Sequence, residues 1–323
     1  MRWTAWVGAA VAAVAMGTAA GAQPYPVRPV TFVVTAPAGG PSDIVARLVG
    51  ERLSKAIGQP VVIENRAGAA QTLGTAAVAK AEPDGYTLLF TTSTPIMVSP
   101  HTMKVSYDVR RDLRIVAHVG STPLVLYSNA QVPARSVSEL IGLAKAKPGQ
   151  VSYGSYGHGS SAHLLGEYLN KQAGISLVHV AYKGVAPQIQ DLAGGHINVA
   201  LADVGTPAEF VKSGVLNALA VTGSSRTPSL PDVPTFAEQG ITGMEPFSAW
   251  WGLFAPAGTP APIVEKLAAA TVAVARSAEF GERLRLVGGA PTGISGPEAE
   301  ALLYDELDRW KTIIAGLPAI KAE

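Results

Sequence analysis

The chain of 323 residues contains 48% hydrophobic and only 15% charged residues, which excludes an intrinsically disordered protein and allows two domains with separate cores. Its 25 Lys and Arg residues nearly balance its 24 Asp and Glu residues, so nucleic acid or an anionic membrane is not expected as the main partner. The absence of cysteine excludes disulfide bonds and thiolate metal sites.

The first 22 residues have the pattern of a secretory signal peptide. Arg2 supplies the positive start, residues 6–16 form an apolar run, and Ala20-Gly-Ala22 predicts cleavage after Ala22. This run is shorter than the roughly 20 apolar residues that a membrane-spanning helix requires, and no later run is long enough. We therefore expect a periplasmic protein whose mature chain is not inserted in the membrane.

Strands and helices are predicted to alternate through the next part of the chain. The strands cover residues 30–35, 61–64 and 86–91, and the helices cover residues 44–53 and 71–80. The first strand is almost continuously apolar and β-branched, which is typical of a strand buried on both faces of a parallel sheet. Ser42 or Asp43 is predicted to cap the first helix. This rhythm indicates an α/β domain.

A second domain is predicted to interrupt the first. Two strands at 113–119 and 123–128 lead into it, and Ser- and Pro-rich residues 224–234 are interpreted as the return crossing. Between them, strands at 151–155, 178–182, 197–201 and 216–222 alternate with helices at 161–172, 187–193 and 207–213. A helix at 137–147, a strand at 247–254 and helices at 262–275 and 297–314 complete the prediction. The lobes would therefore comprise residues 23–122 with 224–323, and residues 123–223.

Two glycine- and serine-rich loops each join a strand to a helix, at Gly39-Gly-Pro-Ser-Asp43 and at Gly157-His-Gly-Ser-Ser-Ala162. Backbone N–H groups at a helix N-terminus attract anions, so the pair predicts a cleft that holds a carboxylate from both sides. The alternative is that the glycines of the first loop only form a tight turn. Asp43 would repel an anion, so it either orients its loop or meets an ammonium group of the ligand.

Catalytic and cofactor sites are not supported by the motifs. The second loop fits G-x-G-x-x-A, but the next strand ends in Ala181-Tyr-Lys-Gly184 without the acidic residue that a dinucleotide site requires. A G-x-S-x-G elbow is absent, and His163 is too close in sequence to Ser160 to act as its base. His158 and His163 are five residues apart, which does not place them on one helix face. We expect no cofactor, no metal ion and no enzymatic activity.

Further polar and aromatic residues stand at strand ends or in an aromatic strand, where each has an ordinary structural alternative such as helix capping, solvated surface or core packing. One of the tryptophans 250 and 251 is expected to pack in the core, and the other to cover the cleft. The complete predicted ligand site consists of Ala38, Gly39, Gly40, Ser42, Asp43, Thr92, Ser93, Ser155, Tyr156, His158, Gly159, Ser160, Ser161, Lys183, Asp203 and Trp250.

In this order, a set of short motifs resembles the Bug family, the extracytoplasmic receptors of tripartite tricarboxylate-type transporters. The motifs are Tyr25-Pro-Val-Arg-Pro29, Pro37-Ala-Gly-Gly-Pro-Ser-Asp43, Glu64-Asn-Arg-Ala-Gly68, Pro83-Asp-Gly-Tyr86, Tyr153-Gly-Ser155 with Gly159-Ser160 and His163-Leu164, Tyr182-Lys-Gly184, and Gly252-Leu-Phe-Ala-Pro-Ala-Gly-Thr-Pro260. The resemblance covers essentially the whole mature chain.

The resemblance implies an α/β fold of the two-lobed type II periplasmic-binding class, a Venus flytrap in which each lobe is a mostly parallel sheet flanked by helices. It also implies a monomer that binds a small organic acid through its carboxylate and delivers it to membrane transporter subunits. A receptor that feeds a signalling system, and an exported hydrolase or nucleotide-linked oxidoreductase, are the alternatives.

Two departures from the family pattern concern the ligand. The family usually has a Gly-Ala-Gly-Gly run where this chain has Gly68-Ala-Ala-Gln71, and often has Phe or Met before a polar residue where this chain has Leu201-Ala-Asp203. An acid at position 203 would favour an amine-bearing ligand or exclude a second carboxylate.

Overall fold

The computed structural model describes residues 25–317, so the predicted signal peptide and its cleavage site lie outside the described residues. The chain forms two β-sheets. The strands of the first sheet are β1 Val30–Val34, β2 Val61–Asn65, β3 Thr87–Thr92, β4 Leu113–Pro123, β10 Ser248–Pro256 and β11 Ala290–Ile294. Those of the second are β5 Val125–Asn129, β6 Ser152–Ser155, β7 Val178–Ala181, β8 Val199–Ala202 and β9 Leu216–Val221.

Helices flank both sheets. They are α1 Pro41–Ile57, α2 Thr72–Ala79, α3 Ser99–Thr102, α4 Val109–Asp112, α5 Val137–Ala146, α6 Ser161–Ala173, α7 Val185–Ala193, α8 Ala208–Lys212, α9 Ala261–Ala275, α10 Ala278–Leu286 and α11 Gly296–Ala315. A π-helical turn at Thr94–Val98 and a 3₁₀ turn at Ala237–Gln239 complete the helical elements of the part described. Within residues 25–317, no helix combines the length and apolarity that crossing a bilayer requires.

The predicted two-lobed α/β architecture is confirmed, but both sheets are mixed and not mostly parallel as predicted. In the order β11-β4-β10-β3-β1-β2, only the pairs among β1, β2 and β3 are parallel. In the order β7-β6-β8-β5-β9, β6 pairs in parallel with β7 and β8, whereas β5 is antiparallel to both of its neighbours. In the first sheet β10 and β11 run against β1–β4, and in the second sheet β5 runs against β6–β9.

The connection between the sheets is short and hydrogen-bonded. Only Leu124 separates β4 from β5. The Thr222 N–H donates to the Leu124 carbonyl at 2.9 Å, and the Leu124 N–H donates to Thr222 Oγ1 at 2.9 Å. These two bonds tie the outgoing and returning segments together where the chain passes between the sheets, as expected of a hinge region.

The core explains why the strands form. Val30, Phe32 and Val34 of β1 are fully buried, as the β-branched and aromatic pattern of this strand predicts. One buried cluster includes Val33 of the first sheet and Leu126 of the second, so the apolar interior continues from one sheet to the other. This continuity keeps the loops at the strand ends of the two lobes close together.

Three features differ from the sequence prediction. Neither Ser42 nor Asp43 caps α1, because Gly40 occupies the N-cap position and Pro41 the first turn. Helix α10 and strand β11 were not predicted; Pro291 and Gly293 are unusual in strands, and β11 is tolerated as an edge strand beside β4. After the predicted return crossing, Thr235 still pairs with Val221 of the second sheet.

Candidate functional site

The loop between β1 and α1 is held rigid by Asp43. Its carboxylate accepts hydrogen bonds from the Gly39 N–H, from Arg47 Nε and from Asn65 Nδ2, each at 2.9 Å, and only 3% of the residue is exposed. Burial alone would raise the pKa of Asp43, but Arg47, the Gly39 N–H and Asn65 together lower it below its usual value. Asp43 therefore orients its loop, one of the two roles that the sequence left open.

The tryptophan beside this loop is Trp251. Its indole N–H donates to Ser42 Oγ at 3.1 Å. Trp250, the predicted site residue, is 2% exposed, and its indole N–H donates to Glu306 Oε2 of α11 at 2.8 Å. Successive residues of a strand point to opposite faces, so only one of the pair can face the loop. Both tryptophans are buried, Trp251 being 3% exposed, and of the two it is Trp251 that bonds to the predicted anion-binding loop.

The turn after β3 is linked to Gln71, which sequence reasoning did not single out. Thr35 Oγ1 and Thr92 Oγ1 each donate to Gln71 Oε1 at 2.9 Å. Gln71 and the two residues before it, Ala69 and Ala70, have φ angles of 70°, 45° and 48°, in the left-handed region that favours glycine. Such strain is found mainly where surrounding contacts enforce it, often at binding sites. Here the two threonine hydroxyls fix the amide and leave its N–H groups unbonded to any described residue.

The loop between β6 and α6 is organised by side-chain contacts with its own backbone. Ser160 caps α6, with its Oγ accepting from the His163 N–H at 3.3 Å. The Gly159 N–H donates to His163 Nδ1 at 3.0 Å, and Ser155 Oγ donates to the Gly157 carbonyl at 3.0 Å. Gly157 and Gly159 have φ angles of 155° and 69°, which explains the two glycines. The loop therefore meets α6 as the sequence predicted.

Two of the predicted serines make no hydrogen bond of ordinary geometry with a described residue, although the Tyr156 side chain lies beside Ser161. Ser93 Oγ, after β3, and Ser161 Oγ, at the start of α6, are fully buried. A buried hydroxyl without a partner costs about 1–3 kcal/mol, so native proteins seldom retain one without a reason. Each serine follows a strand of a different sheet, and both lie in the predicted ligand site.

Tyr156 brings the two lobes together at this point. Its side chain neighbours Thr94 of the first lobe, and Ser161 and Asp203 of the second. Burial, and to a lesser degree the Asp203 carboxylate, raise the pKa of Tyr156 to about 12, so its hydroxyl is a donor at neutral pH. Gly159 also lies close to α3 of the first lobe: a Cβ atom at this position would be 3.3 Å from Thr102 Oγ1. The second loop thus packs against the first lobe.

The Asp203 side chain is hydrogen-bonded within its own turn. Its carboxylate accepts from the Thr206 N–H at 2.8 Å and from Thr206 Oγ1 at 3.2 Å, and its carbonyl accepts from Tyr127 Oη at 3.0 Å. Burial raises the pKa of Asp203 despite the bonds from Thr206. Lys183, by contrast, is exposed in the turn between β7 and α7 and has no hydrogen bond or ion pair with a described residue.

Three histidines cluster beside the second loop. His158, His163 and His179 each have a ring nitrogen within 4.8 Å of those of the other two. Two residues that are five apart do not share a face of one helix. His158, however, precedes α6, and its ring lies 4.7 Å from the ring of His163. Burial first, and then the neighbouring histidines, lower the pKa of His163 to about 3 and of His179 to about 4. The imidazoles of His163 and His179 are therefore neutral at pH 7.

The residues that sequence reasoning missed had weak signals. Gln71 lies in the segment 68–71, which departs from the family pattern. That departure by itself indicates no role for Gln71. Trp251 was considered only as the alternative to Trp250, and Thr94 was part of a hydroxyl-rich turn. His179 lies in a strand, and only the pairing of β7 with β6 brings it near the loop.

Comparisons with known proteins identify a family and similar structures. The family described as the tripartite tricarboxylate transporter family receptor matches residues 45–318. Protein BugT of Bordetella pertussis is 35% identical over 97% of this chain and 96% of its own length. A structure of R. palustris Rpa4515 with adipate has a TM-score of 0.84, is 33% identical, and covers 90% of this chain and 97% of its own. MatC from Rhodopseudomonas palustris with bound malate has a TM-score of 0.80 at 32% identity, covering 90% and 99%.

Proposed function

Because the chain belongs to the receptor family of the tripartite tricarboxylate transporters, we propose that it is a periplasmic receptor for a small organic acid, which it delivers to a membrane transporter of that type. The proposal includes export with cleavage after Ala22, a monomeric mature chain, and a lobe division at residues 122/123 and 223/224. Two similar proteins are known with adipate and malate, which supports a dicarboxylate as the ligand.

One observation carries the proposal: the two fully buried serine hydroxyls, Ser93 and Ser161, that lack partners in the described residues. Serine hydroxyls and backbone N–H groups bind a carboxylate without a neighbouring full positive charge. Ser161 also begins the 13-residue helix α6, whose positive end favours an anion. Ser93 adds a donor from the other sheet, next to Thr94, the neighbour of Tyr156.

The remaining site residues have graded roles in this proposal. Ser42 and Ser160 each accept a hydrogen bond within the protein and keep a hydroxyl proton for the ligand. The N–H groups of Gly39, Gly40 and Gly159 are bonded within the protein, so these glycines shape the loops. Tyr156 Oη and the Gln71 amide add donors. Asp43 and Ser155 position the loops, since their polar atoms bond to loop backbone. Trp251 replaces Trp250 as the aromatic residue at the site. Lys183 and His158 are exposed and would act, if at all, at the rim.

Binding of this kind couples to lobe closure. A ligand that contacts Ser93 in one lobe and Ser161 in the other makes both contacts only when the lobes are together. Its binding therefore shifts the equilibrium toward the closed arrangement. A transporter that recognises the closed arrangement would then distinguish loaded from empty receptor.

The test is thermal unfolding of the mature protein with adipate, malate, citrate, amino acids and aromatic acids. A ligand at about 100 times its dissociation constant adds roughly 2.7 kcal/mol, or about 2–4 °C for domains of this size. Ser93→Ala combined with Ser161→Ala should abolish the shift, and Ser213→Ala, an exposed serine outside the site, should preserve it. A shift that survives in the double variant would contradict the proposed site.

Transport and export are tested separately. Intact mass of the protein from a periplasmic extract should correspond to a chain that starts at Gln23. Deletion of the gene should abolish uptake of the radiolabelled acid that gave the shift, and a plasmid copy should restore it. Normal uptake in the deletion strain would remove the transport role while leaving the binding site intact.

A further inference from the structure

A cluster of imidazoles lies at the N-terminus of α6 and over the edge strand β7. The His163 and His179 rings stack with centroids 3.8 Å apart, and the His158 ring lies 4.7 Å from His163 and 6.1 Å from His179. His158 is exposed, His179 is half-buried and His163 is buried, so the cluster opens to solvent on one side. The proposed carboxylate site uses neither His163 nor His179, and it includes His158 only at its rim.

The hydrogen bonds of His179 define which of its nitrogens carries a lone pair. Ser155 Oγ has one proton, which it donates to the Gly157 carbonyl at 3.0 Å. With Ser155 Oγ donating to that carbonyl, the 2.7 Å contact between Ser155 Oγ and His179 Nε2 has the imidazole as donor, which is the tautomer that the metal site requires. Nδ1 of His179 is left as the acceptor. A histidine whose second nitrogen donates to a fixed oxygen is the usual arrangement of a metal ligand.

His163 is oriented by the loop itself. Its Nδ1 lone pair accepts from the Gly159 N–H at 3.0 Å. The ring of His158, two residues into the same loop, makes no hydrogen bond with the described residues. His158 thus belongs to the loop and His163 to the first turn of α6, while His179 belongs to strand β7.

We propose that His158, His163 and His179 bind one divalent transition-metal ion, with Zn²⁺ the expected ion. Three imidazoles without thiolates or carboxylates suit Zn²⁺, and also Ni²⁺, Cu²⁺ and Co²⁺. Three protein ligands leave the fourth position of a tetrahedral ion to water or to an oxygen of another molecule.

Binding requires a small rearrangement whose cost is limited. Zinc–nitrogen distances are about 2.0–2.1 Å, so nitrogens now up to 4.8 Å apart must approach. The stacked rings of His163 and His179 must also turn, because two parallel rings cannot direct their in-plane lone pairs at one ion. His158 is exposed and can move freely, and His163 exchanges its bond from Gly159 for the metal. The ion would therefore hold the loop to β7.

The test is a calorimetric titration of Zn²⁺ into the mature chain, residues 23–323, after removal of any polyhistidine tag. We expect one ion per chain. Removal of an outer partner of a metal ligand weakens affinity about 10–100-fold, so loss of a ligand itself in His158→Ala should weaken it at least as much. His179→Gln keeps a donor for Ser155 and should have the same effect. Bound Co²⁺ should show the intense visible absorption of four-coordinate cobalt.

His196→Ala is the matched control, because His196 is exposed in the same lobe but lies outside the cluster. It should bind Zn²⁺ like the wild type. Absence of a stoichiometric site in the wild type, or equal affinity in His158→Ala and His196→Ala, would overturn the proposal. Urea unfolding without metal identifies variants that fail to fold; His158 is exposed, so its variant decides the question even if His163→Ala is unstable.

Discussion

The two strand–loop–helix junctions have similar sequences but different internal bonding. In the first, Asp43 bonds to Gly39, Arg47 and Asn65, and Ser42 accepts from Trp251, so the side chains are occupied within the lobe. In the second, Ser160 caps α6, but the neighbouring Ser161 hydroxyl has no partner among the described residues. The first loop is therefore held by the Asp43 carboxylate, whereas the second leaves the Ser161 hydroxyl available for the proposed ligand.

This difference teaches that a glycine- and serine-rich motif fixes where N–H groups point, but not which side chains remain available. The availability of a hydroxyl depends on neighbours from distant parts of the chain, such as Trp251 for Ser42, which are 209 residues apart. The following predictions test this contrast, from the largest expected effect to the smallest.

Asp43→Ala should remove the hydrogen bonds that hold the first loop in place. It leaves the Gly39 N–H without its acceptor and Asn65 Nδ2 with only the Ala36 carbonyl, and we expect the free energy of unfolding to fall by about 2–4 kcal/mol. Ser161→Ala, at the equivalent junction of the second lobe, should change it by less than about 1 kcal/mol, since no protein hydrogen bond is lost. Urea unfolding measures both. Equal losses in the two variants would remove the contrast between the loops.

Trp250→Phe should destabilise the protein without weakening ligand binding. The substitution leaves the Glu306 carboxylate, whose pKa burial raises, without the indole donor, at a cost of about 1–3 kcal/mol. Trp251→Phe removes the donor to Ser42 and should weaken acid binding several-fold. Urea unfolding and ligand titration on both variants separate the roles. If Trp250→Phe lowered affinity more than Trp251→Phe, the assignment of Trp251 to the site would be reversed.

Gln71→Ala should weaken ligand binding by about tenfold, or about 1.4 kcal/mol, because it removes a fixed amide donor beside Thr92. The matched control is Gln150→Ala, an exposed glutamine in the turn before β6, which should bind normally. Calorimetric titration with the acid found in the panel gives both affinities. Unchanged affinity in Gln71→Ala would mean that the Gln71 amide only stabilises the protein structure and does not contact the ligand.

The contribution of Asp43 should be independent of pH near neutrality. Its pKa is lowered in the folded protein, so its stabilising effect is fully present above the pKa of the unfolded chain, about 4, and is lost as the pH falls through the lower folded value. The difference in unfolding free energy between wild type and Asp43→Asn should therefore be constant from pH 5 to 8. A difference that grew or shrank across this range would show that the loop is not anchored by an ionised carboxylate.

Much of the fold followed from local patterns. The apolar run of β1, the cap of α6 at Ser160 and the stop of α1 at Gly58 can each be recognised within a few residues. Strand β11 could not, because Pro291 and Gly293 disfavour a strand, and only its pairing with β4 stabilises it. The prediction that Ser42 or Asp43 caps α1 was wrong, because α1 begins at Pro41 and both residues therefore lie inside the helix.

The sequence by itself determined the α/β rhythm, the two glycine- and serine-rich junctions between strand and helix, and the family resemblance, because these depend on short-range periodicity and on glycine, serine and proline at fixed positions. The tertiary structure decided which groups those junctions leave available. The face on which Trp251 lies, the two bonds to Gln71 and the meeting of His158 and His163 with His179 depend on strand register and on helix packing across the sheets. Register and packing are set by side chains that are distant in sequence, so no local pattern specifies them.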